Sequence, residues 1–124
     1  MQESILTSIK KLLGITEDYK HFDTDIIMHI NTVFMILMQL GVGPSDGFTI
    51  TDDSAMWSDF LTSQKQLESV KTYTYLRVKM MFDPPQSGTV IQSTENLIKE
   101  LEFRLNVEVD PGEKTSTRKN IALL

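Results

Sequence analysis

The residues best placed for proton transfer are Asp25 and His29, which stand four positions apart and therefore on one face of a helix. A carboxylate that orients an imidazole is one part of a catalytic arrangement, which also needs a nucleophile and donors for the developing charge. The sequence places no such groups beside this pair, and an exposed helical ion pair explains both residue types. We therefore predict no catalytic residues and no enzymatic activity.

The sequence contains few residues that could bind a metal ion or a cofactor. The chain has no cysteine and two histidines, His21 and His29. A thiolate zinc site, a disulfide framework and a histidine-rich metal site are therefore excluded. The run GVGP at 41–44 has two glycines but not the pattern of a phosphate-binding loop, and we interpret it as a helix stop and turn. We predict no metal and no cofactor.

Charge and hydropathy argue against two classes of partner, nucleic acid and membrane. The 124-residue chain has a formal net charge of -5, and its basic residues form no cluster. Proteins that grip duplex DNA normally present a basic face, so we expect no tight DNA binding. The most apolar run, residues 26–40, is shorter and more polar than the roughly 20 apolar residues of a membrane span. We also see no signal peptide, and we expect a soluble protein without a membrane partner.

Apolar residues recur with helical spacing along most of the chain. This pattern predicts an all-α fold, a small bundle of four long helices plus one short helix. The predicted helices cover about residues 2–13, 24–40, 55–61, 65–82 and 89–107. We expect Asp23 to cap the second helix with its carboxylate, and Phe22 to pack on Ile27.

The composition changes near the carboxyl end. After Asp110 the chain is polar until an apolar tip that contains Ile121, Leu123 and Leu124. Polar segments of this kind bury too little apolar surface to fold alone. We therefore predict one helical domain at 1–107 and a flexible C-terminal tail at 108–124.

The second predicted helix is apolar on most sides. Eleven of the fifteen residues from Ile26 to Leu40 are apolar, whereas a surface helix usually buries one side only. We expect this helix at the centre of the bundle, and burial of part of it against another subunit is the alternative. Asn31 lies on its apolar side. A buried amide without a partner costs about 1–3 kcal/mol, so we expect a hydrogen bond to a nearby loop backbone, or a contact that fixes helix register or a subunit interface.

Two later helices carry more apolar residues than one buried stripe needs. We expect the last helix to bury Val90, Leu97, Ile98, Leu101 and Leu105. Phe103 and Val107 project from another side of it, and two such residues one turn apart favour an interface. Tyr73, Leu76 and Met80 form a similar second stripe on the preceding helix. We predict self-association through these five residues, with Asn31 as a further interface candidate.

Several segments together resemble the phage head–tail connector, or adaptor, family. They are FDTDIIMHINTVFMILMQLGVGP at 22–44, the single Trp57, KTYTYLRVKMMFDPP at 71–85 and ELEFRLN at 100–106. They occur in the order expected for the family and span most of residues 1–107. The tail after residue 108 departs from the pattern.

The resemblance implies an all-helical structural protein of the virion without catalytic activity. Such proteins assemble as a ring, usually dodecameric, beneath the portal protein of the DNA-filled head. The ring extends the channel through which DNA leaves and presents the docking surface for a stopper or tail-completion protein. The resemblance also implies a location in the virion neck, and in the host cytoplasm before assembly.

Some features of the residues suit these implied partners. An acidic protein suits a channel through which DNA passes without tight binding, because like charges repel. We expect the tail residues Ile121, Leu123 and Leu124 to dock on the portal or on a neighbouring subunit.

Two other functions remain as alternatives. The first is a small cytoplasmic regulator or inhibitor that binds a partner protein. The second is a stopper or tail terminator of the same neck. Stoppers are usually rich in β-strands, and the sequence lacks the alternating pattern of strands.

Overall fold

The computed structural model describes residues 3–109, and side chains as far as residue 107. Its five helices are α1 (Ile5–Leu12), α2 (Asp23–Gln39), α3 (Trp57–Phe60), α4 (Gln64–Phe82) and α5 (Gly88–Val109). The predicted all-α fold of four long helices and one short one is confirmed. Within the described range, β-pairing is limited to a single antiparallel bridge between Ser4 and Met56. The tail residues Ile121, Leu123 and Leu124 lie outside the described residues.

The helix α4 is the centre of the bundle. It packs against α1, α2 and α5, whereas the main contacts of α2 are with α1 and α4. The expectation that α2 is central was wrong, because its composition shows how apolar it is but not which helices surround it. Each end of α4 has a local cause: the Ser63 hydroxyl accepts a hydrogen bond from the amide of Gln66, and Pro84 follows the last turn.

An aromatic cluster joins α2 to the loop that follows it and to α3. The rings of Phe34 and Phe60 are stacked with centroids 4.6 Å apart, and Phe48 and Trp57 meet Phe34 edge-on. Gly43 allows this packing: its φ is +87°, and a Cβ there would lie 2.5 Å from the Phe60 ring. A glycine is therefore required at this position on two grounds.

A buried lysine fixes the connection between α1 and α2. Lys10 is only 2% exposed. Its Nζ donates to the carbonyl oxygens of Glu17 (3.1 Å) and Tyr19 (2.8 Å), and lies 2.8 Å from Oδ1 of Asp23. Two carbonyl oxygens therefore accept hydrogen bonds from the ammonium group, and the carboxylate of Asp23 balances its charge. The prediction that Asp23 caps α2 was wrong, because its carboxylate pairs with Lys10 and the capping residue is Phe22.

The buried face of α5 is narrower than its sequence predicts. Ile98 and Leu105 are buried and Leu101 is partly buried, but Val90 and Leu97 are exposed, contrary to expectation. The physical reason is that α5 packs chiefly on one helix, α4. A single neighbour covers a smaller arc of a helix than the two or three neighbours that surround a core helix.

Candidate interaction surfaces

The side chains considered first for proton transfer do not form a reactive site. Asp25 is exposed at the start of α2, and the half-buried ring of His29 lies 6.4 Å from that of Phe82. The expected ion pair between Asp25 and His29 is not among those formed by the described residues. In the same part of the chain, no three His, Cys, Asp or Glu side chains come together as metal ligands. No helix there is long and apolar enough to cross a bilayer.

Asn31 holds the loop after α2 against that helix. Its Nδ2 donates to the carbonyl oxygen of Ile50 at 3.0 Å, and its Oδ1 accepts from the amide of Ile50 at 2.8 Å. The predicted hydrogen bond is confirmed, and its partner is a loop backbone. Both ends of the amide are therefore used within the subunit. The role of Asn31 at a subunit interface stays a prediction.

A polar cluster locks α5 onto α4. The buried Tyr73 hydroxyl donates to Oε2 of Glu102 at 2.7 Å and accepts from Nε of Arg77 at 3.1 Å. The Arg77 guanidinium also pairs directly with Glu102. Burial raises the pKa of Tyr73 well above its ordinary value, and the hydrogen bond to Glu102 adds to this. Burial lowers the pKa of Arg77, but its hydrogen bonds to Glu102 and Tyr73 outweigh that effect and raise it.

This cluster changes the interpretation of the second apolar stripe on α4. Tyr73 is fully buried inside the subunit, so it offers no surface to a neighbour in this structure. Leu76 and Met80 are partly buried and pack against the core. The expectation of surplus apolar surface was therefore wrong at Tyr73, because the phenol ring and hydroxyl serve the contact between α4 and α5.

The outer face of α5 does carry exposed apolar residues, as predicted. Phe103 is 71% exposed and Val107 is 47% exposed. Lys99 stands one turn before Phe103, is exposed, and has no ion-pair partner among residues 3–107, so the expected pair between Glu95 and Lys99 is not formed. We call Lys99, Phe103 and Val107 the α5 strip. The pair expected beside it, Glu100 with Arg104, is confirmed at 2.6 Å.

Sequence reasoning missed a second exposed strip on α2. Met28 is 58% exposed and Met35 is 53% exposed, and they stand seven residues apart, or about two helical turns. Asp25 lies one turn before Met28, and we call these three residues the α2 strip. The signal was present in the sequence, since Met28 and Met35 fall beside the polar stripe of Asp25, Thr32 and Gln39, opposite the buried face.

A groove between α1 and α4 has the size of a small-molecule site. Its volume is about 380 Å³, and Trp57 and Leu12 are among its lining residues. The indole Nε1 of Trp57 already donates to Ser8 Oγ at 2.8 Å, and Lys71 pairs with Glu3 at 3.0 Å. Two of its polar side chains are thus already engaged within the subunit, and we assign no ligand to this groove.

The fold defines a small all-α bundle, and its described surface carries exposed apolar residues on α2 and α5. The chain belongs to the phage connector protein family, whose family model matches residues 5–112. Comparisons with curated proteins and with solved structures found no match. Membership confirms the resemblance seen in the sequence. Membership supports a structural role for the chain as a head–tail connector component of a phage.

Proposed function

We propose that this chain is one subunit of a ring, dodecameric in the virion, that attaches beneath the portal protein. The ring extends the channel through which DNA leaves the head and presents the docking surface for the stopper or tail-completion protein. Before assembly the subunit resides in the host cytoplasm. The observation that carries the proposal is the exposed apolar pair Phe103 and Val107 in a chain that belongs to the connector family.

The exposure of Phe103 is costly unless something covers it. Burying an aromatic side chain of this size contributes about 1.5–3 kcal/mol. A lone exposed apolar residue is ordinary, but Phe103 and Val107 lie one turn apart on the same face of α5. Neighbouring exposed apolar residues of this kind favour a protein interface. In a ring, that interface repeats between successive subunits.

The charge of the chain supports the proposed channel. A chain with a net charge of -5 should bind DNA weakly, because proteins hold a duplex mainly through Lys and Arg side chains that neutralise its phosphates. We expect no tight binding to duplex DNA at physiological salt, so that DNA slides past the ring. A submicromolar Kd with a steep dependence on salt, measured by fluorescence anisotropy, would contradict this part of the proposal.

The test of the ring compares two substitutions that each place a negative charge on the surface. Phe103→Asp should leave the subunit folded, because the side chain is exposed, but should prevent ring formation on the portal. Leu12→Asp is the matched control, since Leu12 is also an exposed apolar residue but lies on α1. Circular dichroism checks the fold, and sedimentation with electron microscopy checks the ring after mixing with portal protein from the same phage.

The outcomes distinguish a wrong choice of interface from a wrong proposal of function. Complete rings from Phe103→Asp would show that the α5 strip is not the interface. A wild-type protein that never associates with the portal would remove the connector proposal itself.

The C-terminal tail is tested separately. We propose that Ile121, Leu123 and Leu124 dock on the portal or on a neighbouring subunit. Deletion of residues 110–124 should therefore weaken portal attachment without unfolding the bundle. Unchanged attachment in the sedimentation assay would assign docking to another surface.

A further inference from the structure

We propose that the α5 strip of one subunit packs against the α2 strip of a second copy of the chain, with the two helices side by side and parallel. This inference rests on the proposed ring, and it names the two surfaces that meet. Neither strip is covered within the subunit.

The need for two different surfaces follows from ring geometry. In a twofold dimer the same patch faces itself, so pairing the α5 strip with itself would leave the α2 strip exposed. In a ring, each subunit offers one surface to the neighbour on one side and a different surface to the neighbour on the other. Pairing the two strips buries both in every subunit of the ring.

The two strips match in the order and spacing of their residues. Each begins with a charged residue at its amino-terminal end and continues with two apolar residues. At 1.5 Å rise per residue, the apolar residues of the α2 strip lie about 4.5 and 15 Å beyond Asp25. Those of the α5 strip lie about 6 and 12 Å beyond Lys99. A parallel alignment therefore places Met28 near Phe103 and Met35 near Val107.

The charges select this alignment. Residues 26–40 include no Asp, Glu, Lys or Arg, so Asp25 is the charge at the edge of the α2 strip. Parallel packing brings it to Lys99, which has no ion-pair partner within the described part of the chain. Antiparallel packing would instead leave both charges beside apolar residues. Methionine also suits a face that must adapt to an aromatic ring, because its side chain is unbranched and its sulfur contacts rings favourably.

The absence of cysteine from the chain allows a direct test by oxidative cross-linking. The double variant Met28→Cys/Phe103→Cys has one thiol on each strip. Under mild oxidation at high protein concentration it should give a ladder of dimers, trimers and larger species on a denaturing gel. A mixture of the two single variants should stop at dimers, and each single variant alone should cross-link no faster than Leu12→Cys. The matched control is Leu12→Cys/Phe103→Cys, which should give no ladder.

Cross-linking of wild-type lysines at the same concentration separates this inference from the proposed function. A ladder from the lysines without one from the cysteine pair would leave self-association intact and overturn the pairing of strips. No ladder from either would overturn this inference for the isolated chain, and the ring on the portal is decided by the sedimentation assay with portal protein. Rapid dimers from one single variant alone would indicate a twofold contact and overturn the inference. A ladder that forms only when Leu97→Cys replaces Phe103→Cys would also overturn the inference.

The proposed ion pair gives a second readout. Asp25→Lys or Lys99→Asp, added singly to the cysteine pair, should lower the rate of ladder formation by about two- to fivefold, as expected for an exposed pair. The double reversal should restore the rate, because the pair re-forms with opposite polarity. Failure of the double reversal to restore the rate would overturn the parallel alignment.

Discussion

Replacing Lys10 with methionine removes a buried ammonium group while keeping a side chain of similar length. The ammonium donates to the carbonyl oxygens of Glu17 and Tyr19 and pairs with Asp23 at 2.8 Å. Its loss leaves two carbonyls without their donor and a largely buried carboxylate without its counter-charge. Removal of one partner from a buried pair costs about 3–5 kcal/mol. That is a large share of the roughly 5–15 kcal/mol by which such a domain is stable.

The assay is urea unfolding, followed by circular dichroism and by the fluorescence of Trp57. Lys11→Met is the matched control, since Lys11 is the next residue and is exposed. A surface change of this kind should alter the free energy of unfolding by no more than about 0.5 kcal/mol. The double variant Lys10→Met/Asp23→Asn should recover part of the loss, because no charge is then left unpaired.

Two results would refute this account of Lys10. If Lys10→Met and Lys11→Met unfold at the same urea concentration, the buried ammonium does not hold the connection between α1 and α2. If the double variant recovers nothing relative to Lys10→Met, the pair with Asp23 contributes no coupling, and the two carbonyls carry the whole effect.

Three further predictions concern the loop after α2 and the contact between α4 and α5. Asn31→Leu removes both hydrogen bonds to the loop and should lower the free energy of unfolding by about 1–3 kcal/mol; unaltered melting would show that Asn31 is a bystander. In the same urea assay, Gly43→Ala should lower the free energy of unfolding by more than Gly14→Ala. Both glycines have positive φ, but only at Gly43 would a Cβ meet an aromatic ring. Equal losses of stability would mean that backbone strain alone sets the effect. Tyr73→Phe should cost about 1 kcal/mol, since it leaves Glu102 without that donor. Because the pKa of Tyr73 is raised in the folded state, the unfolded chain loses the proton first, so wild-type stability should fall as pH rises above about 10. Tyr73→Phe should fall less steeply, and parallel curves for the two proteins would contradict the assignment.

The sequence by itself determined the helices and the family. Helical spacing of apolar residues is a local property, and so are the proline and glycine positions at which helices end. The hydrogen bond of Asn31 was predictable for a related reason, because an amide on an apolar helix face needs a partner wherever the fold places it. The motifs that carry the resemblance are likewise stretches of contiguous residues, so no tertiary information was needed to find them.

The tertiary structure alone decided which apolar faces are covered. Tyr73 and Phe103 are both aromatic residues outside the main stripe of their helices, yet one is buried and the other is exposed. The difference arises because α4 has three helical neighbours and α5 chiefly one, and the number of neighbours is set by long-range packing. The burial of Lys10 has the same origin, since its two carbonyl acceptors and its counter-charge come together only after the chain between α1 and α2 folds back over it. Periodicity marks the faces that a helix can bury, and the arrangement of the other helices decides which of them are left for a partner.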